Sequence, residues 1–454
     1  LGTATRRLTV ARPHPSWSEQ DPAAWITAMR EAMAELAAAH DLSGVEGIGL
    51  SGQMHGAVVL DAGDRVIRPA ILWNDSRSEA QARRLNADPQ FRAISANVVF
   101  PGFTAPKLVW MAETEPEAFA RVAMVLLPKD YLRLWLTGEK IGDMSDAAGT
   151  AWFDNGARAW SDALLAASGM RRAQMPPLVE GSAPAGGLRA EVAAEWGMRP
   201  GTVVSGGAGD GAATAVGAGS VVEGQGFVSI GTSGVILTPS RRLAPDPARA
   251  VHAFCHTLPG MWQHMGVILS ASAALEWLAG ILGATPAALT DALGPELRAP
   301  AEETFLPYLT GERTPHNDAA ARGAFSGLSA RTGRAELTQA VLEGVAFAFA
   351  DTLEALRASG SDPETLLALG GGARSRYWLK AIATALGRPL LLPESGDYGA
   401  AFGAARLGLM AATGADPAAV CTRPRIAAEV EPDHSLAPAY AEKLQQFRAA
   451  YRAR

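Results

Sequence analysis

Residues 202–219 read TVVSGGAGDGAATAVGAG, and this stretch decides the fold class. Its β-branched start predicts a buried strand over Thr202–Ser205, the glycines after it predict a tight turn, and Ala212–Gly219 predicts a helix of small side chains. A strand that passes through a short turn directly into a helix is typical of α/β proteins. Asp210 is the one charged residue of the stretch and stands where the strand gives way to the helix.

The same succession of strands, turns and helices is predicted in both halves of the chain. In the first half, Asp21-Pro22 predicts a helix start, and strands are predicted over Val45–Leu50, Ala57–Asp61 and Val66–Trp73. In the second half, the predicted elements are a hairpin of Phe227–Ile230 and Val235–Thr238, a long helix over Thr332–Ser359, a strand over Leu366–Leu369, a helix over Tyr377–Leu386 and a strand over Pro389–Leu392. The hairpin marks the start of a second, similar unit, so the predicted domains are 1–222 and 223–454.

The composition argues against several classes of protein. The chain has 454 residues, enough for two or three domains, and its 40 basic against 46 acidic residues give a net charge of −6. This balance is unlike that of a nucleic-acid-binding protein, which needs a strongly basic face. No apolar run has the length of a membrane helix, no signal-like segment opens the chain, and Cys255 and Cys421 lack CxxC spacing. A cytoplasmic protein without nucleic-acid or membrane partners is therefore predicted.

Two polar clusters follow predicted strands in the first half, where open α/β sheets bind ligands. In SGQMHG, which ends at Gly56, His55 can bind a hydroxyl and Met54 can pack on a carbon face. A core methionine and a turn histidine also explain these letters, and this segment taken alone favours that structural interpretation. The second cluster, WNDSR, offers an apolar wall and hydrogen-bond partners, and helix capping by its Asp is the structural alternative; its candidate ligands are Trp73, Asn74 and Asp75.

Asp210 itself has two interpretations. An acid in front of an alanine-rich helix commonly caps that helix. A carboxylate within hydrogen-bond reach of a hydroxyl can also accept its proton as a general base, and the glycines around Asp210 would let a ligand come close.

Two glycine-rich turns in the second half are candidates for binding an anion. SIGTSG offers backbone N–H groups and hydroxyls that can form a phosphate-binding nest, although Gly and Ser are equally common in plain hairpin turns. LGGGARS follows a predicted strand and opens a helix, which favours a flat or negatively charged ligand. The residues singled out are Gly231, Thr232, Ser233, Gly371, Gly372 and Ala373.

Other signatures are absent from the sequence. It contains no GxGxxG or P-loop motif, no HxxxH or HExxH spacing for a metal, and no GxSxG nucleophile elbow. A further polar loop, FLPYLTGERTPH, contains Glu312 and Arg313, for which a simple ion pair on the surface is predicted.

Taken in order, these clusters resemble the motifs of a known family. SGQMHG, RPAILWND, FTAPKL, LLPKDYLR, DMSDAAGT, SIGTSGV, FLPYLTGERTPHN and LGGGARS resemble those of the FGGY carbohydrate kinases. The resemblance extends from about Leu8 onward and is closest to the members that phosphorylate D-xylulose. GQMHG and LLPKDYLR are specific strings rather than generic glycine patterns.

The resemblance implies an α/β fold of two ribonuclease-H-like domains, the actin-like ATPase fold, around a central cleft that holds ATP and the sugar. It also implies transfer of phosphate from ATP, with Mg²⁺, to the 5-hydroxyl of D-xylulose, with Asp210 accepting the proton. The sugar would be contacted by Met54 and His55, with Trp73, Asn74 and Asp75 close by. The nucleotide phosphates would lie on Gly231, Thr232 and Ser233, and the adenosine along Gly371, Gly372 and Ala373. A homodimer is one assembly that the sequence leaves open.

Two departures from the family pattern keep alternatives open. Family members begin with a strand and turn reading roughly DxGT, whose acid helps to place Mg²⁺, whereas LGT at Leu1 has no preceding acid and the first strands are expected to be missing. GGAGDG stands where relatives often read GGGDN, so Gly211 replaces an amide side chain. The alternatives are another FGGY kinase, acting on ribulose, gluconate or glycerol, and a non-catalytic relative that binds sugar or nucleotide.

Overall fold

In a computed structural model of the chain, which describes residues 2–394 and 399–453, strands and helices alternate through both halves. The strands are β1 (Glu19–Gln20), β2 (Gly47–Ile48), β3 (Ser51–Gly52), β4 (Val58–Leu60), β5 (Ala70–Ile71), β6 (Met124–Leu126), β7 (Gly142–Asp143), β8 (Phe153–Asp154), β9 (Ala159–Trp160), β10 (Leu178–Val179), β11 (Pro184–Gly187), β12 (Val203–Ser205), β13 (Ala208–Gly209), β14 (Gln225–Ile230), β15 (Gly234–Ser240), β16 (His252–Cys255), β17 (Trp262–Ile268), β18 (Thr304–Leu306), β19 (Ala324–Ser326), β20 (Thr365–Leu369), β21 (Leu390–Pro393) and β22 (Ile426–Val430). The helices are α1 (Pro22–Ala39), α2 (Glu79–Ala87), α3 (Pro89–Ser95), α4 (Thr104–Thr114), α5 (Pro116–Ala120), α6 (Pro128–Thr137), α7 (Met144–Ala147), α8 (Asp162–Ala167), α9 (Ala190–Trp196), α10 (Asp210–Gly217), α11 (Ser272–Leu282), α12 (Pro286–Asp291), α13 (Arg334–Ala358), α14 (Arg376–Leu386), α15 (Ala400–Thr413), α16 (Pro417–Val420) and α17 (Ala437–Arg452).

The strongest local signals of the sequence are confirmed. Asp21 caps α1 by accepting the N–H of Ala23 at 3.0 Å, as an Asp before a helix-starting proline predicts. The strand and helix around Asp210 are present as β12 and α10, but the predicted GGAGDG turn is shorter than expected, because Ala208–Gly209 form β13 and α10 already begins at Asp210. The hairpin β14–β15, the long helix α13 and the β20–α14–β21 succession are also as predicted.

One predicted strand is shorter than expected. Val45–Leu50 is predicted as a continuous strand, but only β2 forms within it and pairs with β12, while β3 follows the predicted strand and pairs with β13 in a separate parallel ladder. β2 ends before Gly49, where a side chain would meet the carbonyl oxygen of Ala404 at 1.6 Å. The backbone of α15 occupies that space, so it touches the strand at the point where the ladder changes.

The described residues form two internally packed units. The first contains the described residues up to Val221, with Phe254–Trp262 and residues 399–422. The second contains Val222–Ala253, with residues 263–394 and 423–453. The chain thus returns twice to the first unit after residue 222, and domain bounds of 1–222 and 223–454 stay a prediction.

In the first unit, glycines let α15 pack directly on neighbouring backbone. A Cβ on Gly403 would lie 1.8 Å from the carbonyl oxygen of Ala213 in α10, and one on Gly408 would lie 2.6 Å from the amide nitrogen of Gly49. Such distances are far inside van der Waals contact, so no other residue fits without displacing the helix. This packing holds the segment that carries Asp210 against the strand edge.

The second unit is built on a seven-stranded sheet, in the order β16-β17-β15-β14-β20-β21-β22 among the described residues. β14 is antiparallel to β15 and parallel to β20, and β20 is parallel to β21. Helix α13 is buried on nearly all sides from Thr338 to Leu356, and the Trp378 indole N–H donates to the Leu342 carbonyl at 3.0 Å. Among the described residues, none of the helices combines the length and apolar character needed to cross a bilayer.

Candidate active site

The register of two short strands brings the two candidate turns of the first unit together. β3 and β13 run parallel with Gly52 opposite Gly209, so GQMHG and GDG both leave the sheet at the same edge. A Cβ on Gly209 would lie 2.5 Å from Cγ of Met54, which places that buried side chain directly against the residue before Asp210. The carboxyl ends of parallel strands form the usual ligand-binding edge of an α/β sheet.

His55 is held in a left-handed backbone conformation by its neighbours. Its φ is 68°, and its carbonyl oxygen accepts hydrogen bonds from Lys107 Nζ at 2.7 Å and Thr104 Oγ1 at 3.1 Å. Its ring stacks on Phe103 with centroids 4.6 Å apart, and Nδ1 lies 2.6 Å from the carbonyl oxygen of Gly149. A carbonyl oxygen only accepts, so Nδ1 carries the proton and Nε2 of a neutral ring is an acceptor for a ligand hydroxyl.

Asp210 combines an exposed position with a crowded surrounding. It is the first residue of α10, Gly209 occupies the N-cap position, and its carboxylate accepts the N–H of Gly211 at 3.0 Å. The helix-capping role predicted for Asp210 is therefore limited to the N–H group of Gly211 in the first turn of α10. Desolvation by the protein around it raises the pKa of Asp210, and the hydrogen bond from Gly211 opposes that rise. Water reaches the carboxylate from its open side, while its raised pKa makes it a better proton acceptor than an ordinary surface aspartate.

The WNDSR cluster separates into exposed and buried members. Trp73 and Asn74 are exposed, whereas Asp75 is buried and accepts from the N–H of Ser18 and from Nη2 of Arg77, both at 2.6 Å. The capping alternative for Asp75 is wrong, because α2 begins four residues later, with Ser78 in the cap position. Its carboxylate is engaged by these partners, and a sugar contact through it stays a prediction.

A buried charge cluster lies beneath both turns. Lys129 Nζ is 2.6 Å from carboxylate oxygens of Asp130 and Asp143 and 3.3 Å from Asp146, and Arg133 binds Asp130 at 2.7 Å. These side chains are at most 3% exposed. Two cations face three carboxylates, and burial raises the pKa of Asp146 well above its usual range, against the opposing effect of Lys129.

This cluster connects directly to the candidate site. Arg133 Nη2 donates to the carbonyl oxygen of Gly206 in the turn before Asp210, and Cβ of Lys129 would lie 3.2 Å from a Cβ on Gly52. The sequence reasoning used LLPKDYLR and DMSDAAGT only as family signatures and assigned these residues no role. The available signal was Lys, Asp and Arg within an otherwise apolar run, since such charges are rarely buried unless paired.

In the second unit, the two glycine-rich turns also leave adjacent strands at one edge. Ser229 of β14 pairs with Leu369 of β20, so GTSG and GGGARS follow strand ends that lie side by side. Gly370 has a φ of 90°, and a Cβ on Gly372 would lie 2.3 Å from Cγ2 of Ile230. Gly371–Arg374 form a short 3₁₀ helix, and Gly231–Ser233 form the turn of the hairpin. Each position predicted to bind nucleotide therefore lies at the same edge of the sheet.

The surface ion pair predicted for Glu312 and Arg313 is wrong. Glu312 is buried, and its Oε1 accepts the N–H groups of Leu269 at 2.9 Å and Arg313 at 2.7 Å. Burial raises the pKa of Glu312 to about 7 and lowers the pKa of Arg313 to about 10. The sequence of a polar loop does not reveal that its glutamate is buried and bonded to the residue that follows β17.

Over residues 2–394 and 399–453, no three His, Cys, Asp or Glu side chains are grouped in a way that could hold a metal ion. Mg²⁺ in nucleotide-dependent enzymes takes most of its ligands from phosphate and water, with one or two protein carboxylates.

Comparison with known proteins shows which family the chain resembles. Residues 1–217 match the N-terminal domain, and residues 226–412 the C-terminal domain, of the FGGY family of carbohydrate kinases. The chain is 47% identical to a xylulose kinase of Escherichia coli K12 over 99% of its own length and 94% of that relative. It is 60% identical to a crystal structure described as a xyloylose kinase from Brucella ovis, with a TM-score of 0.98 over 100% of this chain and 94% of that one. A xylulose kinase structure from Rhodospirillum rubrum gives 32% identity and a TM-score of 0.91, over 99% of this chain and 93% of that one.

The chain belongs to the FGGY family of carbohydrate kinases. The predicted fold class, α/β with two domains of the actin-like ATPase type, is confirmed. It is an ATP-dependent sugar kinase.

Proposed function

We propose that this kinase phosphorylates the 5-hydroxyl of D-xylulose, giving D-xylulose 5-phosphate and ADP. The observation that carries the proposal is the pairing of β3 with β13, which sets the GQMHG turn beside Asp210. Relatives named xylulose kinases match the chain over nearly its full length, which supports this sugar over ribulose, gluconate or glycerol.

The proposed step needs positioning more than covalent chemistry. The 5-oxygen of the sugar attacks the γ-phosphorus, the bond from that phosphorus to the bridging oxygen breaks, and ADP leaves. Asp210 takes the proton of the attacking hydroxyl, and the pKa rise caused by desolvation suits it to that role. His55 Nε2 accepts a sugar hydroxyl, and Met54 packs against the carbon chain. The same region of the sugar is bordered by Trp73, Asn74 and Asp75.

The nucleotide is proposed to bind the second unit as its magnesium complex. The backbone N–H groups of Gly231, Thr232 and Ser233 contact the phosphates, because a glycine-flanked hairpin turn exposes several N–H groups to an anion. The adenosine lies along Gly371, Gly372 and Ala373, where side chains are small or absent. Mg²⁺ supplies charge neutralisation on the transferred phosphate. The cytoplasmic location and a homodimer stay predictions.

The substrate assignment is tested by ADP release in the presence of ATP and Mg²⁺. D-xylulose is expected to stimulate release well above D-ribulose, glycerol and gluconate at equal concentration. Equal or greater stimulation by another sugar would replace the assigned substrate. Sugar and nucleotide binding by calorimetry without any turnover would favour the non-catalytic alternative.

The contact between Met54 and Gly209 gives a test of the sugar turn. Replacing Gly209 by alanine places a methyl group 2.5 Å from Cγ of Met54, so the Met54 side chain must move. Displacement of a positioned binding group by a fraction of an ångström is expected to raise the KM for D-xylulose by about tenfold, with a smaller change in the KM for ATP. Gly211→Ala is the matched control, since a Cβ at Gly211 meets no atom of the described part of the chain within 4 Å. Equal effects of the two substitutions would contradict the proposed contact.

A further inference from the structure

Glu312 is a buried carboxylate of the second unit that the proposed reaction does not use. Its Oε1 accepts the N–H of Leu269, the first residue after β17, at 2.9 Å, and the N–H of Arg313 at 2.7 Å. Two residues further along the loop, Thr314 exchanges hydrogen bonds with Val267: its N–H donates to the carbonyl at 2.9 Å, and its Oγ1 accepts the N–H at 3.0 Å. The loop that contains Glu312 and Thr314 is therefore hydrogen-bonded to the end of β17 at two places.

The residues that follow β17 in turn hold the glycine-rich hairpin turn. The N–H of Ala271 donates to the carbonyl oxygen of Thr232 at 2.9 Å, and the N–H of Ser272 donates to that of Gly231 at 2.8 Å. Because these two carbonyl groups of the turn accept hydrogen bonds from Ala271 and Ser272, the conformation of the turn depends on the position of residues 269–272. Glu312 is thus two hydrogen bonds away from the backbone that is proposed to bind the nucleotide phosphates.

We infer that Glu312 is a positioning residue for the nucleotide, which fixes residues 269–272 and through them the turn Gly231–Ser233. The inference rests on the proposed function, which places the phosphates on that turn. The positioning role applies to this turn alone, and no contact between Glu312 and ATP is proposed.

The burial of Glu312 indicates whether its negative charge or its hydrogen-bond acceptor matters for positioning the turn. Oε2 is buried and has no hydrogen-bond partner among the described residues, and burial raises the pKa of the carboxyl to about 7. A negative charge is therefore costly at this site, while Oε1 as an acceptor is used twice. Glutamine keeps that acceptor and the shape of the side chain, whereas alanine removes both.

The test measures ADP binding by calorimetry, alongside the KM for ATP and for D-xylulose, in Glu312→Ala and Glu312→Gln. We expect the alanine variant to weaken ADP binding and raise the KM for ATP by about tenfold, because an acceptor used by two backbone N–H groups is lost, while the KM for D-xylulose changes by less than about twofold. The glutamine variant is expected to restore most of the nucleotide affinity.

Glu343→Ala provides a matched control. Glu343 is also buried in the second unit, its pKa is also raised to about 7 by burial, and it accepts hydrogen bonds from Ala301 at 3.0 Å and Tyr440 at 3.1 Å. Its loss should lower the thermal midpoint without changing nucleotide affinity. Unchanged ADP binding in Glu312→Ala, or an equal loss in Glu343→Ala, would overturn the inference.

The same measurements separate this inference from the proposed function. A wild-type protein that binds ADP but phosphorylates none of the sugars would refute the function, and a weaker ADP affinity in Glu312→Ala would still support the positioning role. An active wild type with an unaltered Glu312→Ala variant would refute the positioning role alone. If Glu312→Ala fails to fold, Glu312→Asp replaces it: its shorter side chain withdraws the acceptor from Leu269, so nucleotide affinity unchanged from the wild type would refute the role.

Discussion

Replacing Asp210 by asparagine is expected to lower kcat by about 10²–10⁴-fold, the usual contribution of a positioned general base. Asparagine keeps the shape of the side chain and can still accept the N–H of Gly211, so the start of α10 is retained. The KM values for sugar and ATP are expected to change little, because the amide occupies the same space but takes no proton. Steady-state kinetics with each substrate varied in turn checks this.

The pH dependence gives the same prediction a second measurement. The pKa of Asp210 is raised by desolvation, and the carboxylate acts only when ionised. Activity is therefore expected to fall as the pH drops through that raised pKa, at a higher pH than for an ordinary aspartate, and this acidic limb should be missing from the residual activity of Asp210→Asn.

Asp162→Asn is the control for both measurements. Asp162 is likewise an exposed first residue of a helix of the first unit, but it pairs with Arg172 at 2.8 Å on the surface. Turnover of Asp210→Asn within a few-fold of the wild type, or an equal loss in Asp162→Asn, would remove the role assigned to Asp210.

Replacing Lys129 by methionine is expected to lower the free energy of unfolding by about 3–5 kcal/mol, the cost of removing one partner from a buried ion cluster. Methionine fills much of the lysine's volume, so the loss reports on charge rather than on a cavity. Among the described contacts of the cluster, Arg133 would then be the one cation left to face the carboxylates of Asp130, Asp143 and Asp146. Urea unfolding followed by tryptophan fluorescence measures the change.

Two further variants sharpen this prediction. Adding Asp143→Asn to Lys129→Met should recover part of the lost stability, because the carboxylate that lies 2.6 Å from Lys129 Nζ is removed as well. Lys140→Met, which breaks a 2.5 Å pair with Asp64 that is partly exposed, should cost no more than about 1 kcal/mol. A loss for Lys129→Met as small as that for Lys140→Met would show that the cluster is not energetically important.

Much of the fold could be predicted because its signals are local. A proline after Asp21 predicts a helix cap, a β-branched run next to glycines predicts β12 and its turn, and the long apolar periodicity predicts α13. Each of these depends on side chains within a few residues of one another. The strand over Val45–Leu50 was drawn too long because its interruption depends on α15, which lies far along the chain.

The candidate site was predicted less completely than the fold. Motif resemblance predicts site roles for Met54, His55 and Asp210, but it does not reveal that Asp75 is engaged with Arg77 or that Glu312 is buried. Burial and pairing depend on which distant segments pack together. A short polar motif has the same letters whether it lies in water or beneath a sheet.

The α/β class, the family, and those strands and helices that carry strong local signals follow from the sequence alone, because they depend on local propensity and on motifs in a fixed order. Only the tertiary structure decided that Met54 packs on Gly209, that Lys129 lies among three carboxylates, and that Glu312 holds the end of β17. The physical reason is the same in each case. Parallel pairing and desolvation join segments that are far apart in the chain, and no local pattern encodes their distance or their loss of water.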